Sequence, residues 1–201
     1  MIILLYLAST VIGYILGCFS TAYVVGRVFG NLDIRKHGSG NAGTTNIMRI
    51  LGTKAGIITF IGDALKGVLA VWIGQWIGHE IGGYICGIAA VIGHNWPIFL
   101  KFKGGKGIAT SLGTILALQP VIALIMLIVA IGLIAITRYV SVASVGGALA
   151  FPIISIVTRW DNKPLVVFSL LLGLMAIYKH KENIKRLIEG KENKFGIKIK
   201  K

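Results

Sequence analysis

The stretch MIILLYLASTVIGYILGCFSTAYVV, residues 1–25, carries no charged side chain, and Arg27 follows after Gly26. A helix needs about 20 apolar residues to cross the hydrocarbon core of a bilayer, and this run supplies them. No positive region precedes it, so it reads as a retained first membrane helix and not as a cleaved leader. Further apolar runs predict helices over 55–78, 81–100, 108–119, 120–137, 139–158 and 164–179. The count is seven when the pair around Gln119-Pro120 is taken as two. With 55% hydrophobic and 14% charged residues in 201, the chain has too little polar surface to cover a soluble globule. The expected architecture is all-α: one polytopic membrane domain over 1–183 and a basic tail over 184–201.

Charge orients the helices. Arg27, Arg35, Lys36, Arg49 and Lys54 fall in segment 26–54, Lys101, Lys103 and Lys106 in 101–107, and nine Lys or Arg from Lys179 onward. With seven alternating spans these blocks and Arg138 share one side, leaving Arg159 and Lys163 in loops on the other. The positive-inside rule makes the crowded side cytoplasmic, with the N-terminus outside and the C-terminus inside. The run 108–119 is short for a full crossing, and whether it crosses completely stays open. Merging 108–137 into one span, however, would carry Arg138 and the cationic tail outside, against the charge asymmetry.

The formal charge of +14 sits in blocks between apolar runs, which suits anionic lipid and not nucleic acid. Cys18 and Cys86 lie inside apolar runs and read as buried thiols. Only Asp33 and Asp63 offer carboxylates near the polar loops before the tail, neither with a partner at ligand spacing, so no metal is expected.

Several polar residues stand where a membrane protein does not place them without cause. Asp63 and Lys66 lie three apart inside the second predicted span, on one helix face, and are suited to pairing. His94 and Asn95 close the third span ahead of Trp96-Pro97. Arg138, Ser141 and Ser144 share a face at the start of the sixth span, as do His180 and Asn183 after the seventh. All of these fall toward the cytoplasmic side.

Two loops there suit anions. In Gly104-Gly105-Lys106-Gly107 the glycines remove side chains that would block a phosphate, Lys106 supplies charge, and a helix begins at Ile108. This is no Walker A loop: Leu100 stands where its first glycine belongs and Gly107 where its Ser or Thr belongs. In Ser39-Gly40-Asn41-Ala42-Gly43-Thr44-Thr45-Asn46 hydroxyl, amide and glycine groups gather, and a helix from about Thr45 puts Asn46 and Arg49 on one face. Polar phosphate-suited loops against apolar walls fit an enzyme that joins a phosphate compound to an acyl chain. The main alternative is a transporter for a phosphate-bearing anion, which needs access from both sides; the outer loops are short and polar-poor, and no inverted repeat is evident. A regulatory or scaffold membrane protein would fit the basic tail but not the density of phosphate-suited residues.

These residues resemble the acyl-phosphate:glycerol-3-phosphate acyltransferase family of small bacterial membrane enzymes. The resemblance runs through residues 39–46 with Arg49, Asp63 with Lys66-Gly67, Gly93-His94 through Pro97 and Phe99 into 102–107, and His180 with Asn183, Arg186 and Leu187. Thr44 departs from the alanine usual there and adds a hydroxyl. The resemblance implies seven helices in the bacterial cytoplasmic membrane, a long-chain acyl phosphate as donor and glycerol 3-phosphate as acceptor. It also implies lysophosphatidic acid as product, with no acyl-enzyme and no cofactor. None of the four histidines begins an H-x4-D dyad, and no G-x-S-x-G elbow occurs.

On this reading Lys106 and the amides of Gly104, Gly105 and Gly107 hold the donor phosphate. Arg49, Lys66, Ser39, Asn41 and Asn46 bind glycerol 3-phosphate, His94 and Asn95 line the substrate site, and Asp63 supports it. Asn183, His180 or Ser141 orients the carbonyl or hydroxyl. The base is either the donor's own phosphate oxygen or one of His94 and His180.

Overall fold

The computed structural model describes residues 1–196, and every regular element in that range is helical. The last residues of the expected tail, 197–201, lie outside the described range. The helices are α1 (Ile2–Cys18), α2 (Thr21–Gly30), α3 (Thr44–Leu51), α4 (Thr53–Asn95), α5 (Ile108–Leu118), α6 (Pro120–Thr137), α7 (Val140–Thr158), α8 (Lys163–Lys179) and α9 (Lys181–Ile188). Short 3-10 turns at Ile34–Lys36 and Ile98–Leu100 complete the set. The described residues form two compact units, one over Met1–Leu118 and one over 119–196.

In the first unit the expected helix over 1–25 is interrupted. Phe19 is extended (φ −66°, ψ 111°), and Ser20 caps a new helix by accepting from the Tyr23 N–H. The expected helices 55–78 and 81–100 are the two arms of α4, joined at Gly78 and His79, whose backbones are not helical. The arms fold back on each other. Gly74 and Gly82 meet backbone to backbone, so closely that a Cβ on either would overlap the other's carbonyl. The second arm also packs on α1 through small residues: Gly13 lies on Cys86 and Ala89, Gly17 on Ala90, and Gly93 on the Tyr14 carbonyl. The first arm meets α5 in the same way, Gly67 on Thr110 and Gly113 on Ala64. Lipid tails are as apolar as side chains, so association of helices in a membrane rests on this kind of close backbone approach.

Below these helices a core of Ala22, Val25, Ile34, Ala42, Ile47 and Ala55 seats the segment between α2 and α4. Large apolar side chains elsewhere point outward, among them Leu4, Leu7, Val11, Ile15, Trp72 and Trp76. That is the surface a membrane protein presents to lipid.

In the second unit α6 begins as expected, with Pro120 in its first turn, where its missing N–H costs nothing. Phe151 of α7 and Phe168 of α8 pack edge to face at 6.3 Å. The expected basic tail begins inside α9, which diverges from α8 by 59°. By length and apolarity four helical stretches of the described residues suffice to cross a membrane, or five if α8 and α9 are taken together.

Candidate functional site

The polar loop between α2 and α3 is organised by one buried amide. Asn46, in the first turn of α3, donates from Nδ2 to the carbonyls of Ile34 (3.2 Å), His37 (2.9 Å) and Asn41 (3.1 Å), and its Oδ1 accepts from the Ser39 N–H (3.0 Å). Asn46 is 2% exposed, and both its amide nitrogen and its amide oxygen find partners within the loop. Gly38 has φ +58° and sits on the Asn46 side chain, so a Cβ there would meet both a strained backbone and a filled space. Ser39 stays exposed, Asn41 is half-buried, and Arg49 lies half-buried in the last turn of α3.

Arg35 ties this loop to the next. Its guanidinium forks onto the Asp33 carboxylate, Nε to Oδ1 at 2.9 Å and Nη2 to Oδ2 at 2.7 Å, while Nη1 donates to the Leu100 carbonyl at 3.0 Å. The hydrogen bond from Arg35 holds the Asp33 carboxyl well below its ordinary range, at about 2.

The interruption after α1 leaves main-chain carbonyls unbonded inside the protein, and a buried ammonium answers them. Lys66 of α4 donates from Nζ to the carbonyls of Phe19 (2.7 Å) and Gly17 (3.2 Å). The same Nζ pairs with Asp63 Oδ1 at 2.9 Å and lies 2.9 Å from His94 Nδ1. Asp63, Lys66 and His94 are 1%, 6% and 6% exposed. A cation at a helix C-terminus, with its counter-ion three residues back on its own helix, is a favourable arrangement for a charge removed from water.

The second loop wraps on the far side of His94. The Gly105 N–H donates to the His94 carbonyl at 3.0 Å. Gly104 lies against the His94 and Asn95 carbonyls, Gly105 against His94 Nε2 and the Ala42 carbonyl, and Gly107, at φ +80°, against the Asn95 side chain. No residue with a Cβ fits at any of these positions without displacing the neighbour. Gly107 precedes α5, whose Ser111 N–H bonds the Gly107 carbonyl at 2.7 Å. The N–H groups of Ile108, Ala109 and Thr110 therefore lack partners within the helix and carry its positive pole. Lys106 stands half-buried between the buried glycines.

In the second unit the donors gather on a carboxylate that sequence reasoning passed over. Glu192, 8% exposed, accepts at Oε1 from Ser141 Oγ (3.2 Å) and Asn183 Nδ2 (2.7 Å), and at Oε2 from Arg186 Nε (2.7 Å). Burial alone would push this carboxyl up; the bonds from Asn183, Arg186 and Ser141 outweigh it and hold it below its ordinary value. His180 Nδ1 lies 2.7 Å from the Ala176 carbonyl. Phe195 donates its N–H to the Arg138 carbonyl at 2.6 Å, so the segment after α9 returns to the start of α7.

The structure thus draws Asp63, Lys66, His94, Asn95 and the glycines 104, 105 and 107 into one cluster of the first unit, with the 39–46 loop touching it through Ala42. Ser141 and Asn183 meet on Glu192 in the second. The pairing of Asp33 with Arg35 and the part played by Glu192 were not foreseen, since a carboxylate beside basic residues in a loop or tail gives the same sequence signal as a solvated charge. Among the described residues no group of three or more His, Cys, Asp and Glu forms a metal-holding cluster.

Fold and site together define a class: an all-helical integral membrane protein carrying a glycine-rich, anion-suited loop on a buried ionisable core. The glycerol-3-phosphate acyltransferase family model matches residues 7–190, and the chain belongs to that family. It is 46% identical over 190 residues to the glycerol-3-phosphate acyltransferase of Thermoanaerobacter sp. (strain X514), covering 94% of this chain and 96% of that one. With the enzyme of that name from Clostridioides difficile (strain 630) it shares 48% over 199 residues, 96% of this chain and 97% of the other. It also resembles two crystal structures of PlsY, an integral membrane glycerol 3-phosphate acyltransferase. The glycerol 3-phosphate form superposes with a TM-score of 0.89 at 36% identity, over 95% of this chain and 96% of that one. The lysophosphatidic acid form gives 0.85 at 35%, over 95% of each.

Proposed function

We propose that this protein transfers a fatty acyl group from a long-chain acyl phosphate to the 1-hydroxyl of glycerol 3-phosphate, releasing lysophosphatidic acid and phosphate. The observation that carries this reading is the glycine loop. Gly104, Gly105 and Gly107 are buried against His94-Asn95, Lys106 stands among them, and the positive pole of α5 follows. Such a loop favours a phosphate at the point where a good leaving group must depart with two negative charges.

Lys106 and the loop amides hold the donor phosphate, with Asn95 supporting them. Arg49, with Ser39 and Asn41, receives the phosphate of glycerol 3-phosphate; a guanidinium matches its oxygens in pairs. Asn46 serves by shaping that loop. Ser141, His180 and Asn183 orient the carbonyl or hydroxyl, with Glu192 setting the direction of two of them. The hydroxyl oxygen attacks the acyl carbonyl, the bond to the phosphate oxygen breaks, and the hydroxyl proton leaves on phosphate. No acyl-enzyme is formed. The crossings are α1, the two arms of α4, α5, α6, α7 and α8, seven in a bacterial cytoplasmic membrane, with the loops and the basic tail facing the cytoplasm and anionic lipid. Residues 1–183 make the catalytic membrane domain and 184–201 its tail.

The purified, detergent-solubilised protein supplied with glycerol 3-phosphate and either palmitoyl phosphate or palmitoyl-CoA tests this. Lysophosphatidic acid and phosphate from the acyl phosphate alone are expected. Product from the thioester alone would overturn the donor, and no product from either, in folded protein, would favour an anion transporter.

A further inference from the structure

The buried trio Asp63, Lys66 and His94 has a proton arrangement that its distances decide. The Lys66 ammonium has three hydrogens and three hydrogen-bond partners, the Phe19 carbonyl at 2.7 Å, His94 Nδ1 at 2.9 Å and the Gly17 carbonyl at 3.2 Å, while the Asp63 carboxylate is paired with it as a charge at 2.9 Å. His94 Nδ1 is 3.6 Å from Asp63 Oδ1, too far for a hydrogen bond of its own to the carboxylate. The short partner of Nδ1 is an ammonium, which only donates, so Nδ1 must accept. The ring is then neutral and its proton is on Nε2, the nitrogen that lies against Gly105.

We infer that Asp63 and Lys66 lock His94 as an Nε2–H donor directed at the glycine loop, making Lys66 a positioning residue for that loop and not a ligand of glycerol 3-phosphate. The inference rests on the proposed reaction for its kinetic part only. The charged groups facing the ring on α4 are Asp63 and Lys66, and Lys106 stands in the loop beyond it. A second proton on His94 would leave Nδ1 pointing an N–H at an ammonium, so the ring is poorly placed to act as a base. Lys66 also fills the carbonyls freed where α1 ends. One ammonium therefore connects the interruption of α1 to the loop at the head of α5, with the imidazole between them.

The test has two arms. In protein labelled with 15N-histidine, with the His94 signals assigned by their loss in His94→Gln, the wild type should show an unprotonated Nδ1 and a protonated Nε2 across the neutral range. A protonated Nδ1 overturns the inference, whether or not the protein proves to be an acyltransferase. In the kinetic arm, Lys66→Met should raise the Michaelis constant for acyl phosphate by about tenfold or more, the loss of one hydrogen bond to a charged group. The constant for glycerol 3-phosphate should stay within about twofold. A selective rise in the acceptor's constant would make Lys66 its ligand and reject the positioning role. If Lys66→Met fails to fold, His94→Gln and His94→Ala decide. Gln keeps an acceptor and an N–H donor and should lose less affinity for acyl phosphate than Ala does, with the pH profile unchanged. Equal loss in both would overturn the donor role of His94. An inactive wild type with the expected tautomer would reject the proposed function and leave the lock standing.

Discussion

Asp33 and Arg35 show how one side-chain pair sets the conditions under which the polar loops hold together. The Asp33 carboxyl, held at about 2 by the Arg35 hydrogen bond, is depressed from an ordinary 3.8. A depressed carboxylate contributes stability above its unfolded value and loses it as pH falls toward its folded one. With solvent screening allowed for, the pair should therefore contribute about 1 kcal/mol at neutral pH, lost between about pH 4 and pH 2. Thermal unfolding of Asp33→Asn in detergent should show a midpoint below wild type at pH 7 and a gap that closes on acidification through this window. A gap independent of pH would assign the effect to packing. For catalysis, Lys106→Ala should insert normally and lose turnover by about a hundredfold, as removal of a charge stabiliser does. Arg49→Lys should raise the Michaelis constant of glycerol 3-phosphate, since a point charge cannot reproduce the guanidinium fork. An unchanged constant would leave Arg49 with a topological role alone.

Among the elements, α4 depends on its turn. Gly74 and Gly82 let the arms meet, and a branched side chain at either would separate them. Gly74→Val should destabilise by about 1–3 kcal/mol, the usual effect of overpacking, read as an earlier unfolding transition. A wild-type transition would mean that the arms tolerate separation. The segment after α9 depends on Glu192. Its removal takes the shared acceptor from Ser141, Asn183 and Arg186, and losing hydrogen bonds to a charged group costs about 1–3 kcal/mol. Glu192→Ala should expose the Lys191 and Lys194 bonds to limited trypsin cleavage while α6 to α8 stay protected. Unchanged cleavage would show that the Phe195 and Arg138 contacts suffice.

Across the whole molecule, the cation asymmetry makes the topology testable. With Cys18 and Cys86 replaced by Ala, Lys163→Cys should react with an impermeant thiol reagent in intact cells. Lys103→Cys should react only after permeabilisation. The reverse pattern would invert the proposed orientation and place the glycine loop away from the cytoplasm.

The helices facing lipid were readable in the amino-acid order alone. The spans expected at 120–137, 139–158 and 164–179 match α6, α7 and α8 to within a residue, because a bilayer imposes length and apolarity locally and Pro120 marks a start. The Asp63–Lys66 pair was equally readable, since three residues on a helix bring two side chains together. The interruption of α1 at Phe19 was not: its freed carbonyl is answered by Lys66, 47 positions on. Nor was the contact of Lys66 with His94, 28 positions further, or the capture of Ser141 by Glu192 across 51. Partners so distant in the chain leave no periodic trace, and a buried polar group takes whichever donor or acceptor the packing of helices brings to it. Local patterning thus determined the helices and the glycine-rich loops, while the partner that each buried polar side chain takes was decided by tertiary contacts.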